Sequence, residues 1–193
     1  MVAEHPRSSP KLVGILALQG GFEAHAKIVR SLGAQPREVR VPGDLEGLDA
    51  LIIPGGESTV MTLGVEREGL AEPLRALVRQ GTPVLGTCAG MIMLDRDHLD
   101  VLDIRTSRNA FGRQLRSFEA ELELDGFDRP LHAVFIRAPW VAEHGPAVEV
   151  LAQVGEHPVA IRQGKVLAVS FHPELAGEPG LHEMLLAMNG EPG

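Results

Sequence analysis

The chain has one cysteine, Cys88, and its neighbours are those a nucleophile needs. It stands in Gly86-Thr87-Cys88-Ala89-Gly90, after the run Pro83-Val84-Leu85 and before Met91-Ile92-Met93-Leu94. A strand that enters a small-residue turn and leaves as a helix is a nucleophile elbow, the sulfur counterpart of the G-x-S-x-G turn. Glycines two positions to either side let the chain reverse in a crowded place. The side chain at the tip is expected to be exposed at the C-terminal edge of a sheet. It also lies at a helix N-terminus, whose partial positive charge favours an anion. A lone cysteine is ordinarily a small buried hydrophobe; the glycine pair and the strand-to-helix switch set this one apart.

A cysteine nucleophile needs a base, and the base needs a group that orients it. Of the eight histidines, His5, His98, His132, His144 and His157 lie in polar or turn-like segments and read as solvated, and His25 and His182 fall on helices. His172 differs, because it follows the apolar run Val166–Phe171 and opens His172-Pro173-Glu174. That places it at the C-terminal end of a strand, the edge where open α/β sheets bind ligands. Glu174 is spaced to hold the imidazole tautomer, as the carboxylate of a Ser-His-Asp triad does. A third motif, Pro54-Gly55-Gly56-Glu57-Ser58, again ends a strand in glycines. Adjacent glycines permit close backbone approach and peptide rotation, so their N–H groups could face an oxyanion. Ser58 reads as the N-cap of the helix that follows. No GxxxxGK[ST], GxGxxG or HExxH motif occurs, and no metal site is expected.

The elements that must position these residues follow from the hydrophobic pattern. Residues 1–10 are polar and proline-containing and read as a flexible tail; residues 11–193 read as one domain. Strands are expected over 11–18, 38–41, 50–53 and 83–86, and helices over 22–32, from Ser58, over 70–78 and over 89–94. This alternation is that of a doubly wound, mostly parallel α/β sheet flanked by helices. The second half reads as antiparallel strands over 118–124, 131–136, 148–154, 158–162 and 166–171, with Gln163-Gly164 a tight turn, and a last helix over 180–188. The net charge of −8 leaves no basic stripe for nucleic acid or for an anionic membrane. A single cysteine permits no intrachain disulfide, and the first apolar run meets Gln19-Gly20-Gly21 where a signal peptide would continue. A cytoplasmic protein is expected.

In order along the chain, LALQGGFEAH, PGGEST, GTCAGM, RNAFGRQ, FIRAP and SFHPE resemble the class I, triad-type glutamine amidotransferases. Within them they resemble the family of glutaminase subunits of pyridoxal 5′-phosphate synthase. The likeness runs from about Leu12 to the final helix; RNAFGRQ and FIRAP are its discriminating parts. It implies a flavodoxin-like, three-layer fold and hydrolysis of L-glutamine to glutamate and ammonia through a γ-glutamyl thioester. It further implies a catalytic Cys88, His172 and Glu174 and an oxyanion hole from the backbone N–H groups of Gly56 and Ala89. Glutamine would be bound by Gly56, Glu57, Ser58, Arg108, Ile136 and Arg137. The chain would need no cofactor of its own. Its ammonia would pass to a partner synthase subunit that builds pyridoxal 5′-phosphate. The segment from Asp95 to Asp100 is shorter than is usual in the family, so the helix after the nucleophile or its loop is expected to be truncated. Other readings of the same frame are a cysteine peptidase or chaperone-like protein, a glutaminase subunit of another complex, and a non-catalytic regulatory subunit. Glu174 and PGGES speak against the first, RNAFGRQ against the second, and a complete triad against the third.

Overall fold

The computed structural model describes residues 9–108 and 117–188. A seven-stranded sheet has the order β2-β1-β3-β4-β11-β10-β9. Its members are β1 (Leu12–Leu16), β2 (Gln35–Val39), β3 (Ala50–Ile53), β4 (Val84–Thr87), β9 (Glu149–Val154), β10 (His157–Gln163) and β11 (Val166–Val169). From β2 to β11 all neighbours run parallel, and β10 and β9 append antiparallel. Two hairpin-like pairs stand apart, β5 (Ile104–Ser107) with β8 (Trp140–His144) and β6 (Ser117–Leu122) with β7 (Leu131–Ile136).

Period-two alternation distributes each strand's side chains to the two faces. In β3, Ala50 and Ile52 enter one apolar cluster while Leu51 and Ile53 enter the other. The first cluster receives α1 (Phe22–Ser31), the β6–β7 pair and α6 (Gly180–Ala187) through residues such as Ala26, Phe135 and Leu181. The second receives α2 (Ser58–Arg67), α3 (Ala71–Arg79), α4 (Ala89–Leu94), β5 and β8 through Met61, Leu74, Met91, Ile104 and Val141. The result is a three-layer α/β architecture. A fifth helix, α5 (Pro173–Ala176), follows β11. No helix among the described residues is long and apolar enough to cross a membrane.

Several elements differ from the sequence expectation. β2 begins at Gln35, because parallel pairing with β1 fixes the register Leu12↔Gln35 through Leu16↔Val39. Pro36 is tolerated there because β2 is an edge strand. β11 closes the expected antiparallel meander with β10 and β9, but on its other edge it lies beside β4 and runs parallel to it. The strand ends at Val169; Ser170 N–H still bonds the Val159 carbonyl of β10, and His172 N–H turns to the Val134 carbonyl of β7. β5 and β8 were not anticipated. Most of the expected N-terminal tail, and RNAFGRQ beyond Arg108, lie outside the described residues.

Candidate functional site

The parallel strands deliver their C-terminal ends to one edge, and three strand–helix junctions meet there. At the first, β4 turns into α4 at Cys88, whose φ of 50° and ψ of −108° lie in strained backbone territory. The turn is held by Cys88 N–H donating to Val169 O at 2.8 Å and Met91 N–H to Cys88 O at 3.0 Å. Both flanking glycines are sterically required. A Cβ at Gly90 would lie 1.9 Å from the Ile53 carbonyl oxygen, and one at Gly86 2.9 Å from the Gly90 backbone. Cys88 is only 8% exposed, so the thiol is not the open tip expected from the elbow. Neighbouring segments close over it: Gly55 lies against Cys88 and His172, and the thiol faces the Ile136 carbonyl at 3.9 Å.

At the second junction, β11 leads through Phe171 into His172, the N-cap of α5. His172 Nδ1 lies 2.6 Å from Glu174 Oε1, so the carboxylate fixes the ring tautomer, with the proton on Nδ1, and leaves Nε2 to serve the sulfur. Burial disfavours a charge on this ring, but the hydrogen bonds and negative charge of Cys88 and Glu174 outweigh it and push the His172 pKa up to about 10. Burial likewise opposes ionisation of Glu174, yet the hydrogen bond from His172 and the rings of His25 and His172 hold it below the usual carboxylate range.

The third junction is β3 to α2. Glu57, not Ser58, caps α2: its carboxylate accepts from Thr59 N–H at 3.1 Å and Val60 N–H at 2.9 Å. Those two hydrogen bonds hold Glu57 below its ordinary pKa, with Arg108 adding to the effect. Ser58 becomes the first helical residue and is buried. Gln19 Oε1 accepts from Glu57 N–H at 2.8 Å, and a Cβ on Gly20 would lie 2.9 Å from Gly55 O. The β1–α1 turn therefore braces the PGGES loop.

Two arginines approach the same edge. Arg108, after β5, reaches Thr59 Oγ1 at 3.5 Å and His98 Nε2 at 3.4 Å. His98 is not solvated as expected. Its Nδ1 donates to the buried Asp95 carboxylate at 2.7 Å, and Asp95 also takes Thr106 Oγ1–H at 2.6 Å. The short segment after the six-residue α4 is thus a tight turn closed by Asp95, and it carries His98 to Arg108. Arg137, just past β7, is exposed with φ 45°, a left-handed conformation rare for arginine. Ala89 begins α4 beside Cys88, and Gly56 sits against Gln19 and Met61.

The sequence reading gave no role to His25 and His182. Both are buried, His25 directly behind Glu174 with 3.4 Å between Nε2 and Oε2, and His182 behind His25. The available clue was spacing. His25 falls on the stripe of Phe22, Ala26 and Val29, and His182 beside Leu181 and Leu185, so each faces the core rather than solvent. His132, by contrast, is partly exposed between Glu119 and Glu121, and His157 stacks on Trp140. No group of three or more His, Cys, Asp or Glu among the described residues is arranged to hold a metal ion.

The profile of the SNO glutamine amidotransferase family matches residues 15–188. A relative from Mycolicibacterium vanbaalenii named pyridoxal 5′-phosphate synthase subunit PdxT is 50% identical over 192 residues, spanning 93% of this chain and 98% of its own. One of the same name from Thermus thermophilus is 51% identical over 188 residues, spanning 93% and 98%. A crystal structure described as a glutamine amidotransferase is similar at a TM-score of 0.87 and 47% identity, covering 93% of this chain and 99% of that one. PurLQS from Thermotoga maritima, at 16% identity and a TM-score of 0.69, shares the fold.

Proposed function

The chain belongs to the SNO glutamine amidotransferase family, and from that premise we propose that it is the glutaminase subunit of a pyridoxal 5′-phosphate synthase. It hydrolyses L-glutamine and hands the ammonia to a synthase subunit. The observation that carries this reading is the aligned set Cys88, His172 and Glu174, with His172 held at 2.6 Å by the carboxylate and flanked by the sulfur.

The chemistry follows from that geometry. Cys88 Sγ passes its proton to His172 Nε2 and attacks the side-chain amide carbon of glutamine. The carbonyl oxygen becomes an oxyanion, which the backbone N–H groups of Gly56 and Ala89 stabilise. His172 Nε2 gives its proton to the amide nitrogen, the C–N bond breaks, and ammonia leaves from a γ-glutamyl thioester. His172 then takes a proton from water, whose oxygen attacks the thioester. Glutamate departs and the sulfur is restored. Glu174 remains a carboxylate throughout and holds Nδ1–H. The Glu57 carboxylate and carbonyl are engaged on α2 and its N–H on Gln19, so in this loop Gly56 and Ser58 offer glutamine their backbone groups, with the Ser58 hydroxyl. Arg108 or Arg137 supplies a planar guanidinium for the α-carboxylate, and Ile136 a carbonyl for the α-ammonium.

The partner also acts on catalysis. A Gly55-Gly56 peptide has little steric hindrance to rotation, and Gln19 and Gly20 lie against this loop. Docking of the synthase can therefore set the oxyanion donor through either segment, and one misplaced donor costs roughly 10² to 10³ in kcat. A single cysteine, which permits no intrachain disulfide, supports a cytoplasmic location. The test is ammonia release from glutamine by the purified chain, with and without the synthase subunit. Activity should rise on adding the synthase, vanish in Cys88→Ala, and be blocked by a glutamine-like electrophile that labels Cys88. Full activity in Cys88→Ala overturns the assignment.

A further inference from the structure

Behind the Cys88–His172–Glu174 line the polar contacts continue into the core. Glu174 gives Oε1 to His172, while Oε2 is buried and lacks a close hydrogen-bond donor. His25 Nε2 lies 3.4 Å from it and also 3.4 Å from Thr87 Oγ1. His25 Nδ1 in turn is 2.9 Å from His182 Nε2, with the ring centroids 5.1 Å apart. His25 and His182 are 0% and 1% exposed. His25 projects from α1 and His182 from α6, so two helices distant in sequence converge on the back of Glu174.

We propose that His25 is a positioning residue for the hydrolysis: set by His182, it donates Nε2–H to Glu174 Oε2 and so fixes the carboxylate that orients His172. The inference rests on the function proposed above and adds two residues to it. Its logic is the donor inventory of neutral imidazole, in which one nitrogen donates and the other accepts. Glu174 as a carboxylate only accepts, so the proton of His25 belongs on Nε2. Nδ1 of His25 must then accept, which puts the proton of His182 on its own Nε2. The bare nitrogen left over is His182 Nδ1, which makes no close hydrogen bond; the neighbouring Glu178 backbone favours a proton there instead, so the imidazole tautomers are the decisive measurement. The reverse tautomers would aim a lone pair of His25 at a carboxylate. Burial keeps both rings neutral, as a hydrogen-bonded histidine pair in the core requires. Among the described residues, the groups facing His25 are Glu174, His172, His182 and Thr87. The 3.4 Å contact is long, as catalytic hydrogen bonds often are without substrate, and the proposal requires it to shorten in the loaded site.

The test uses the full chain with its synthase subunit. His25→Leu should lower kcat by roughly 10- to 100-fold, the usual cost of losing a group that orients an active side chain, and leave KM unchanged. His25→Gln, whose amide N–H replaces Nε2–H, should recover most of that loss. In a Glu174→Ala background His25→Leu should have no further effect, since its role is exerted through Glu174. Equal losses in both backgrounds, or a wild-type kcat in His25→Leu, overturn the proposal. Nitrogen-15 NMR of the imidazoles gives an answer that needs neither activity nor a folded variant. His25 should be neutral with its proton on Nε2 at pH 7; a proton on Nδ1 alone, or on both nitrogens, refutes the relay. A wild-type complex that releases no ammonia refutes the glutaminase reading instead, and the NMR result still decides the tautomer.

Discussion

Acid should unfold this protein through two buried rings, and the size of the effect can be worked from their surroundings. Burial, partly offset by the charge of Glu174, lowers the His25 pKa to about 4. Burial, aided by His25, lowers that of His182 to about 3. In the unfolded chain both return to about 6.5. Below that pH the unfolded state binds two protons that the folded state refuses. Their contribution to stability is therefore complete above about pH 6.5 and is lost as the pH falls toward the folded values. With both unfolded rings protonated the slope approaches ~2.7 kcal/mol per pH unit, and the loss reaches about 5 kcal/mol by pH 4.5. A small domain has only about 5–15 kcal/mol in total. His172 acts with the opposite sign, because its raised pKa gives stability that is present below about pH 6.5 and lost as the pH climbs toward about 10. Stability should peak near pH 6.5. Carboxylates held low, such as Glu174, are lost only at still lower pH. Urea unfolding followed by circular dichroism between pH 4.5 and 7.5 measures the slope. A double variant, His25→Leu with His182→Leu, should lose most of it whatever its absolute stability. An equal slope in both proteins between pH 5.5 and 4.5 would falsify the account.

Two further outcomes follow from the site. Replacing the carboxylate-binding arginine by lysine, Arg108→Lys or Arg137→Lys, should raise KM with little change in kcat, because lysine lacks the planar fork; an unchanged KM in both places carboxylate recognition on backbone amides. Gly90→Ala should cost about 3 kcal/mol or more, since its Cβ would enter the Ile53 carbonyl, whereas Gly43→Ala, with nothing within 4 Å, should be near neutral by thermal unfolding.

What the sequence disclosed was chiefly what local pattern encodes. The elbow at Cys88, the strand end at His172 and the doubly wound first half follow from glycine placement and short apolar runs. The parallel insertion of β11 was not legible, because period-two alternation reports which face is buried and says nothing of the neighbour or its direction. Glu57 was missed as the cap because glutamate seldom caps; here its longer side chain folds back to the second and third amides of α2. His98 was misjudged and His25 left without a role for one reason. A histidine's environment depends on what packs against it from elsewhere, Asp95 for one and Glu174 and His182 for the other.

The neighbouring positions of β4 and β11 impose an order on the making of the enzyme. β4, which leads to Cys88, is synthesised roughly 80 residues before β11, which leads to His172 and must enter the interior of the sheet. At translation rates of roughly 5–20 residues per second, the thiol waits several seconds for its base. Until then the edge of β4 is open and the nascent chain cannot cleave glutamine. Pairing of strands so far apart in the chain is also slow. The sheet thus couples the proposed activity to the synthesis of β11, and a chain that stalls short of β11 lacks the base proposed for Cys88.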